Sequence, residues 1–300
     1  MTQNKDLPFL DSQIIHATQK DYDDLSNFFS QNIRLHRHLD WFGVLEWLGS
    51  QPFLIEKVRD QIIAILCTAR ENDTYAWIRA FGIQKSLPIK KHWTNLLRIT
   101  KRELISADAN RLGALGLNPW FECLLSNSGF HKALDIVVLA WEGELPPEKK
   151  TKNPFEIRPM QIDDLTAIKK IDELAFDPPW QNSKEGLGKA FQQPGINTVA
   201  IQNNDVIGYQ ISTTMTIYGH LARLAVLPEL QHQGIGYALV YDLLQRLSLQ
   251  GLWRITVNTQ SDNLPSLNLY QKLGFKPTGE KIPVYELDLQ STPKIPNNLK

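Results

Sequence analysis

Cysteine is nearly absent from this 300-residue chain, and its two cysteines, Cys67 and Cys123, stand far apart. That excludes a disulfide framework and a clustered thiolate metal site. Cys67 closes the apolar run Ile62-Ile63-Ala64-Ile65-Leu66 and reads as a buried thiol. Net charge is absent too: thirty-two basic residues balance thirty-two acidic ones, so composition offers no bulk attraction to nucleic acid or to an anionic membrane. No uninterrupted apolar run is long enough to span a bilayer, and Met1-Thr2-Gln3-Asn4-Lys5-Asp6 lacks the basic-then-apolar order of a signal peptide. The expectation is a cytoplasmic protein without a membrane or nucleic-acid partner.

The length suggests two domains of ordinary size. Between them, Gly143 to Asn153 carries charges and two prolines but no hydrophobic period, which is linker composition. The same order of features flanks it on both sides. Ile14-Ile15-His16-Ala17 followed by Asp21 to Leu25 answers Phe155 to Pro159 followed by Ile162 to Leu165, each a short strand entering an acid-capped helix. Phe53 to Glu56 with Ile62 to Cys67 answers Thr198 to Ile201 with Val206 to Ser212, each a hairpin. Leu124 to Phe130 answers Leu269 to Phe275 before a last apolar strand, Ile136 to Trp141 or Val284 to Leu289. The alternation predicts an α/β fold, a mixed central β-sheet flanked by helices, present twice. The expected division is 1–142 and 155–290, with a linker over 143–154 and a fraying tail over 291–300.

In the second copy, Leu221 to Val226 reads as a buried strand, Pro228 ends it, and helical spacing begins at Tyr237. Gln231-His232-Gln233-Gly234-Ile235-Gly236 therefore lies at a helix N-terminus. There the first N–H groups lack intrahelical partners and the helix dipole favours an anion such as pyrophosphate. Neither common nucleotide loop fits: Tyr237-Ala238 stands where a P-loop needs Lys-Ser/Thr, and Leu239 where a Rossmann fingerprint needs its third glycine. Downstream, Leu252 to Asn258 is a strand, Asn263 caps a helix starting near Leu264-Pro265-Ser266, and Tyr270 precedes Leu273-Gly274-Phe275.

The loop and this second element together resemble the GNAT superfamily of N-acetyltransferases. Within it, the run from Leu221 to Phe275 and Phe176-Asp177-Pro178-Pro179-Trp180 are most similar to the ribosomal-protein-alanine and protein N-alpha-acetyltransferase branch. The resemblance covers less than half the chain. It implies acetyl-CoA as co-substrate and no metal. By the same resemblance Leu224, Ala225 and Val226 align the thioester and pantetheine. Gln231, His232, Gln233, Gly234, Ile235, Gly236 and Tyr237 hold the pyrophosphate, and Asn263 and Ser266 contact the cofactor.

Acetyl transfer to an amine needs a neutral nucleophile, an aligned carbonyl and a proton for the departing thiolate. Tyr270, at the family's tyrosine position, is the expected general acid. The base is open. Asn258 stands where relatives carry glutamate or histidine, and an amide cannot accept the proton. His220, at the start of the preceding strand, is the candidate; Asp172 and Glu173 are weaker ones that also read as a charged helix face, and an amine bound already neutral needs none. The expected reaction is acetylation of a primary amine, either a peptide N-terminus or a small molecule. The competing reading is a non-catalytic acyl-CoA-binding module.

The first copy has no glycine between Ser86 and His92, where its loop should lie. Ile89 and Lys91 are expected in place of the two glycines and Leu125 in place of the tyrosine, so this half should neither bind acetyl-CoA nor catalyse. Its Trp41, Phe42, Trp47, Trp77, Trp93 and Trp120 either fill its core or shape a substrate groove. Ile33-Arg34-Leu35-His36-Arg37-His38 reads as a solvated helix face rather than a metal cluster.

Overall fold

Runs dominated by β-branched and other apolar residues, such as Phe53–Val58 and Gln61–Cys67, become strands buried on both faces, and the amphipathic runs between them become helices. The computed structural model describes residues 12–70, 74–148, 154–215 and 217–290. Residues 149–153 of the expected linker and the expected tail lie outside the described residues. Among those described, no helix is long and apolar enough to cross a membrane.

In chain order the first half contains β1 (Gln13–His16), α1 (Tyr22–Ser30), β2 (Ile33–Arg37), β3 (Phe53–Val58), β4 (Gln61–Cys67), β5 (Tyr75–Trp77), β6 (Ala80–Gln84), α2 (Ile89–Ser106), β7 (Arg111–Leu115), α3 (Pro119–Ser126) and β8 (His131–Glu142). The second half contains β9 (Glu156–Pro159), α4 (Leu165–Ala175), α5 (Lys184–Gln192), β10 (Asn197–Gln202), β11 (Asp205–Thr214), β12 (Tyr218–Val226), α6 (Ile235–Leu249), β13 (Arg254–Gln260), α7 (Leu264–Lys272) and β14 (Lys276–Asp288).

The repeat expected from the sequence holds at the level of strand register. Tyr75 pairs in parallel with Arg111 as Tyr218 does with Arg254, and Cys67 pairs with Ala80 as Ile211 does with Arg223. Both opening helices are entered through an aspartate that accepts the backbone N–H three residues back, Asp21 from Thr18 at 3.0 Å and Asp164 from Gln161 at 2.7 Å. Gly129 and Gly274 both turn the chain with φ near +90° after the last helix of their half.

The chain divides into two units, one of residues 1–133 with 284–300, the other of 134–283. This differs from a cut at the linker, because residues 134–142 of β8 belong to the second unit and residues 284–288 of β14 to the first. In the second unit, Ile136 to Glu142 of β8 pair antiparallel with Gln260 to Arg254 of β13. In the first, Val284 to Asp288 of β14 pair with Leu115 to Arg111 of β7. The physical reason is core filling: Leu287 and Leu289 pack among Phe81, Trp93, Leu112 and Phe121, whereas Leu139 and Trp141 pack among Val240, Leu244 and Phe275. Polar contacts fix the exchanged ends, with Tyr75 Oη donating to Glu286 at 2.9 Å and Ser261 N–H donating to the Asp135 carbonyl at 2.8 Å.

Trp47, Trp77 and Trp93 are buried in the first unit's own core, one of the two fates open to that half's aromatics. Ile33 to Arg37 is a strand, not a solvated helix face. His36 is fully buried and stacks on Phe121, ring centroids 3.9 Å apart, because alternation along β2 turns it to the core. Cys67 is buried as expected, and burial pushes its thiol up to about 12.

Two predictions follow from these placements. Leu287→Ala should lower stability by about 2–5 kcal/mol, and limited proteolysis should show new cleavage in residues 12–133 rather than in 155–283. Burial lowers the pKa of His36 from 6.5 to about 4, with the Ile78 backbone opposing. Between those values the unfolded chain takes up a proton that the folded state refuses, so stability falls as pH drops through that window, by about 1.4 kcal/mol per unit. His36→Phe should flatten that part of the curve of unfolding free energy against pH.

Candidate active site

The site begins with an interrupted strand pairing. β12 pairs antiparallel with β11 throughout, but the register slips between Ile211–Arg223 and Ser212–Leu221, leaving Ala222 as an extra residue. On its other side β12 runs parallel to β13 only from Tyr218–Arg254 to Leu221–Val257. Beyond that point the strands part. Among the described residues, Ala222 to Val226 have no strand partner on the β13 side. The bulge also resets side-chain alternation: Leu221, Leu224 and Val226 all pack toward α6, and Arg223 turns to the opposite face with Tyr209.

The glycine loop follows directly. Gly234 caps α6 in the left-handed region with φ +93°, and His232 is left-handed as well at φ +61°. The first intrahelical bond runs from Ala238 N–H to the Gly234 carbonyl at 3.0 Å, so the N–H groups of Ile235 and Gly236 have no acceptor within their own helix. Gln231 ties the loop to the strand end, its Nε2 donating to the Val226 carbonyl at 3.1 Å; Gln233 reaches the Glu229 carbonyl at 3.5 Å. Ile235 and Tyr237 send their side chains into the core, and Tyr237 Oη donates to the Pro147 carbonyl at 2.8 Å. A Cβ on Gly236 would meet only Leu269 at 3.5 Å and Val226 at 3.8 Å, ordinary contacts. Packing therefore does not demand glycine there.

Across the gap, Asn263 caps α7 with its Oδ1 accepting from Ser266 N–H at 3.2 Å, which fixes both residues. Tyr270 is buried among Leu273, Phe275 and the α6 leucines, its ring centroid 5.6 Å from that of Phe275. Among the described residues its hydroxyl has no hydrogen-bond partner. Burial raises the phenol's pKa, and the positive charge of Arg223 opposes that rise. His220 lies on the other face, Nδ1 2.9 Å from Thr256 Oγ1, and burial lowers its pKa so that the imidazole is neutral near pH 7. Asn258, exposed, shares the His220 and Thr256 face by strand alternation.

The two weaker candidates for the base separate. Glu173 is an exposed helix residue paired with Lys169 at 2.9 Å. Asp172 is fully buried and accepts from Tyr209 Oη at 2.5 Å, Arg223 Nε at 2.8 Å, Arg223 Nη2 at 2.7 Å and Asn182 N–H at 2.9 Å. A carboxylate so fully engaged holds structure together and is not a charged helix face. Arg223 completes the cluster by donating to the Trp180 carbonyl at 2.6 Å while its guanidinium lies 3.6 Å from the Phe176 ring centroid. Sequence reasoning missed this cluster. Its signals were a charge inside the apolar strand Leu221 to Val226, and an aspartate on the buried stripe of Leu165, Ile168 and Ile171.

A parted parallel pair, a left-handed glycine at the head of the following helix, and a capped helix carrying a buried tyrosine form one constellation over residues that match the acetyltransferase (GNAT) family model, 165–275. Residues 165–275 form a GNAT acetyltransferase domain. The acetyltransferase domain is 27% identical over 119 residues to the ribosomal protein bS18-alanine N-acetyltransferase of Escherichia coli, covering 40% of this chain and 79% of that protein. It is 28% identical over 144 residues to an N-alpha-acetyltransferase of Sulfurisphaera tokodaii, covering 43% and 84%. Beyond this domain the likeness is one of fold. A tandem GNAT protein from the clavulanic acid biosynthesis pathway superposes with a TM-score of 0.62 at 10% identity, covering 94% of this chain and all of that one.

The first unit departs from the acetyltransferase domain in its loop and along its strand edge. Its loop is shorter than expected: α2 starts at Ile89, so counting from the helix start Pro88 stands for Gly234 and Lys90 for Gly236, rather than Ile89 and Lys91. Leu125 stands for Tyr270, as expected, and is buried. The strand edge that is open in β12 is filled in its counterpart β6. Ile33 to Arg37 of β2 pair antiparallel with Gln84 to Ala80 along it.

Proposed function

We propose that the acetyltransferase domain moves an acetyl group from acetyl-CoA to a primary amine, with the terminal amine of a peptide or protein as the favoured acceptor. The observation that carries this reading is the open edge of Leu224 to Val226 beside the N-terminus of α6. An unpaired strand edge offers N–H and C=O groups to the amides of pantetheine, as it would to another strand. The first-turn N–H groups and the helix dipole suit the pyrophosphate.

Gly236 adds weight. Alanine in a helix interior is favoured over glycine by about 1 kcal/mol, and here an added Cβ has room. Glycine at this position runs against helix propensity, as a residue does when a ligand must come close. Gly236→Ala should leave the melting temperature unchanged or slightly higher while weakening acetyl-CoA binding about tenfold by calorimetry; unaltered affinity would move the pyrophosphate elsewhere.

In the reaction, the amine attacks the thioester carbonyl beside the Leu224 to Val226 edge and the thiolate departs with its electron pair. Tyr270 supplies the proton: its raised pKa keeps the phenol protonated at neutral pH, and the O–H hydrogen passes to the sulfur as the C–S bond breaks. His220, neutral at physiological pH and held by Thr256, takes the proton that the amine nitrogen sheds as its lone pair bonds to the carbonyl carbon. Acceptors suggested by the names of the two relatives, an alanine of ribosomal protein bS18 or an α-amine, are the first to try.

The test is thiol release from acetyl-CoA across a panel of peptides and small amines. Peptide-dependent turnover is expected. Tyr270→Phe should lower kcat at least tenfold with little change in acetyl-CoA affinity. Tight binding without release for any acceptor would establish a binding module instead, and no binding would overturn both readings.

A further inference from the structure

The two units treat the same stretch of chain in opposite ways. Counted from the capping aspartates Asp21 and Asp164, Ile33 to Arg37 correspond to Phe176 to Trp180. In the first unit this stretch is β2, zipped along β6 with Leu35 opposite Gly82, His36 opposite Phe81 and Arg37 opposite Ala80. In the second it is no strand but a short 3-10 turn, Pro178–Trp180. The β12 edge that it would fill is the one that the proposed function gives to acetyl-CoA.

Two differences keep it off. Pro178 and Pro179 stand where Leu35 and His36 pair in the first unit; Pro179 takes the place of His36, whose N–H faces β6, and proline has no N–H to give to a ladder. The second difference is Arg223. By strand register it matches Ala80, and Trp180 matches Arg37. The first unit sets these two positions directly opposite each other in the ladder. The second joins them through the length of an arginine side chain, with Nη2 on the Trp180 carbonyl at 2.6 Å. Asp172 and Tyr209 hold that side chain rigid, and their counterparts Phe29 and Ile65 are apolar. The polar cluster exists only where the edge is open.

We propose that Arg223 is a positioning residue, a spacer that, with Pro178 and Pro179, holds Phe176 to Trp180 away from the β12 edge and so keeps the groove open to acetyl-CoA. The inference rests on the proposed function for the identity of the ligand, but not for the spacer itself. A cluster serving stability alone would loosen the segment when broken. A spacer does the reverse: remove it and restore ladder donors, and the segment closes onto the strand.

The experiment compares the full-length protein with a variant carrying Arg223→Ala, Asp172→Asn, Pro178→Leu and Pro179→His, by hydrogen exchange of the apo protein and by acetyl-CoA titration. Amides of 177, 179 and 181 and of 224 and 226, the positions that match the hydrogen-bonded pairs of the first unit, should gain protection at least tenfold, and acetyl-CoA affinity should fall at least tenfold, with 197–214 unaltered. Unchanged or reduced protection at 177, 179 and 181 would overturn the spacer. Should protection collapse throughout 155–283, Arg223→Met alone carries the test. Its Gln181 amide, at the place of His38, whose N–H donates to the Arg79 carbonyl at 2.8 Å, should gain protection and its acetyl-CoA affinity should fall at least threefold, and no gain in protection overturns the proposal. If the unaltered protein fails to bind acetyl-CoA, the proposed function falls while the exchange data still decide the spacer.

Discussion

The parting of β12 from β13 after Leu221 and Val257 is the constraint from which the rest of the site follows. Backbone N–H and C=O groups inside a protein must find partners, and a strand that loses its neighbour in mid-course creates a row of them without any. The bulge at Ala222 makes that loss possible by turning the strand, and it also decides which side chains face which layer. Leu224 and Val226 then anchor the strand to α6, and Arg223 is turned to the α4 side. Nothing in the loop or in Tyr270 would matter without the edge between them.

Burying an arginine-aspartate pair is not a natural way to gain stability, because desolvation offsets most of the attraction. The cluster around Asp172 is well satisfied all the same, with a tyrosine, an arginine and a backbone amide converging on one carboxylate. Such networks fix geometry more than they add free energy. Here the fixed geometry concerns a segment whose counterpart, in the same chain, takes the other available course and pairs as a strand.

Much of the architecture was legible in the sequence because it rests on period and on turn chemistry. Alternation gave the strands, and the aspartate caps and the glycines at 129 and 274 marked corresponding corners of the two halves. The loop and Tyr270 were legible from spacing. Arg223 was not, since a single charge in an apolar strand says nothing of which face it occupies until the bulge is known. Nor was the strand Ile33 to Arg37, whose alternate histidines and arginines read as a polar helix face although one histidine lies in the core. The exchange of β8 and β14 was equally hidden: an apolar strand at the end of each half looks the same whichever sheet receives it.

That exchange bears on how the molecule is made. The first unit's core includes Leu287 and Leu289, far along the sequence from the rest of it. During synthesis the N-terminal half emerges long before Leu287 and Leu289, which fill its core, and before the strand that pairs with β7. Contacts of such long sequence separation fold slowly and leave apolar strand edges exposed meanwhile. Neither half holds all of its own core although each repeats the design of the other, and cutting the gene at the linker would part β7 from β14 and β13 from β8.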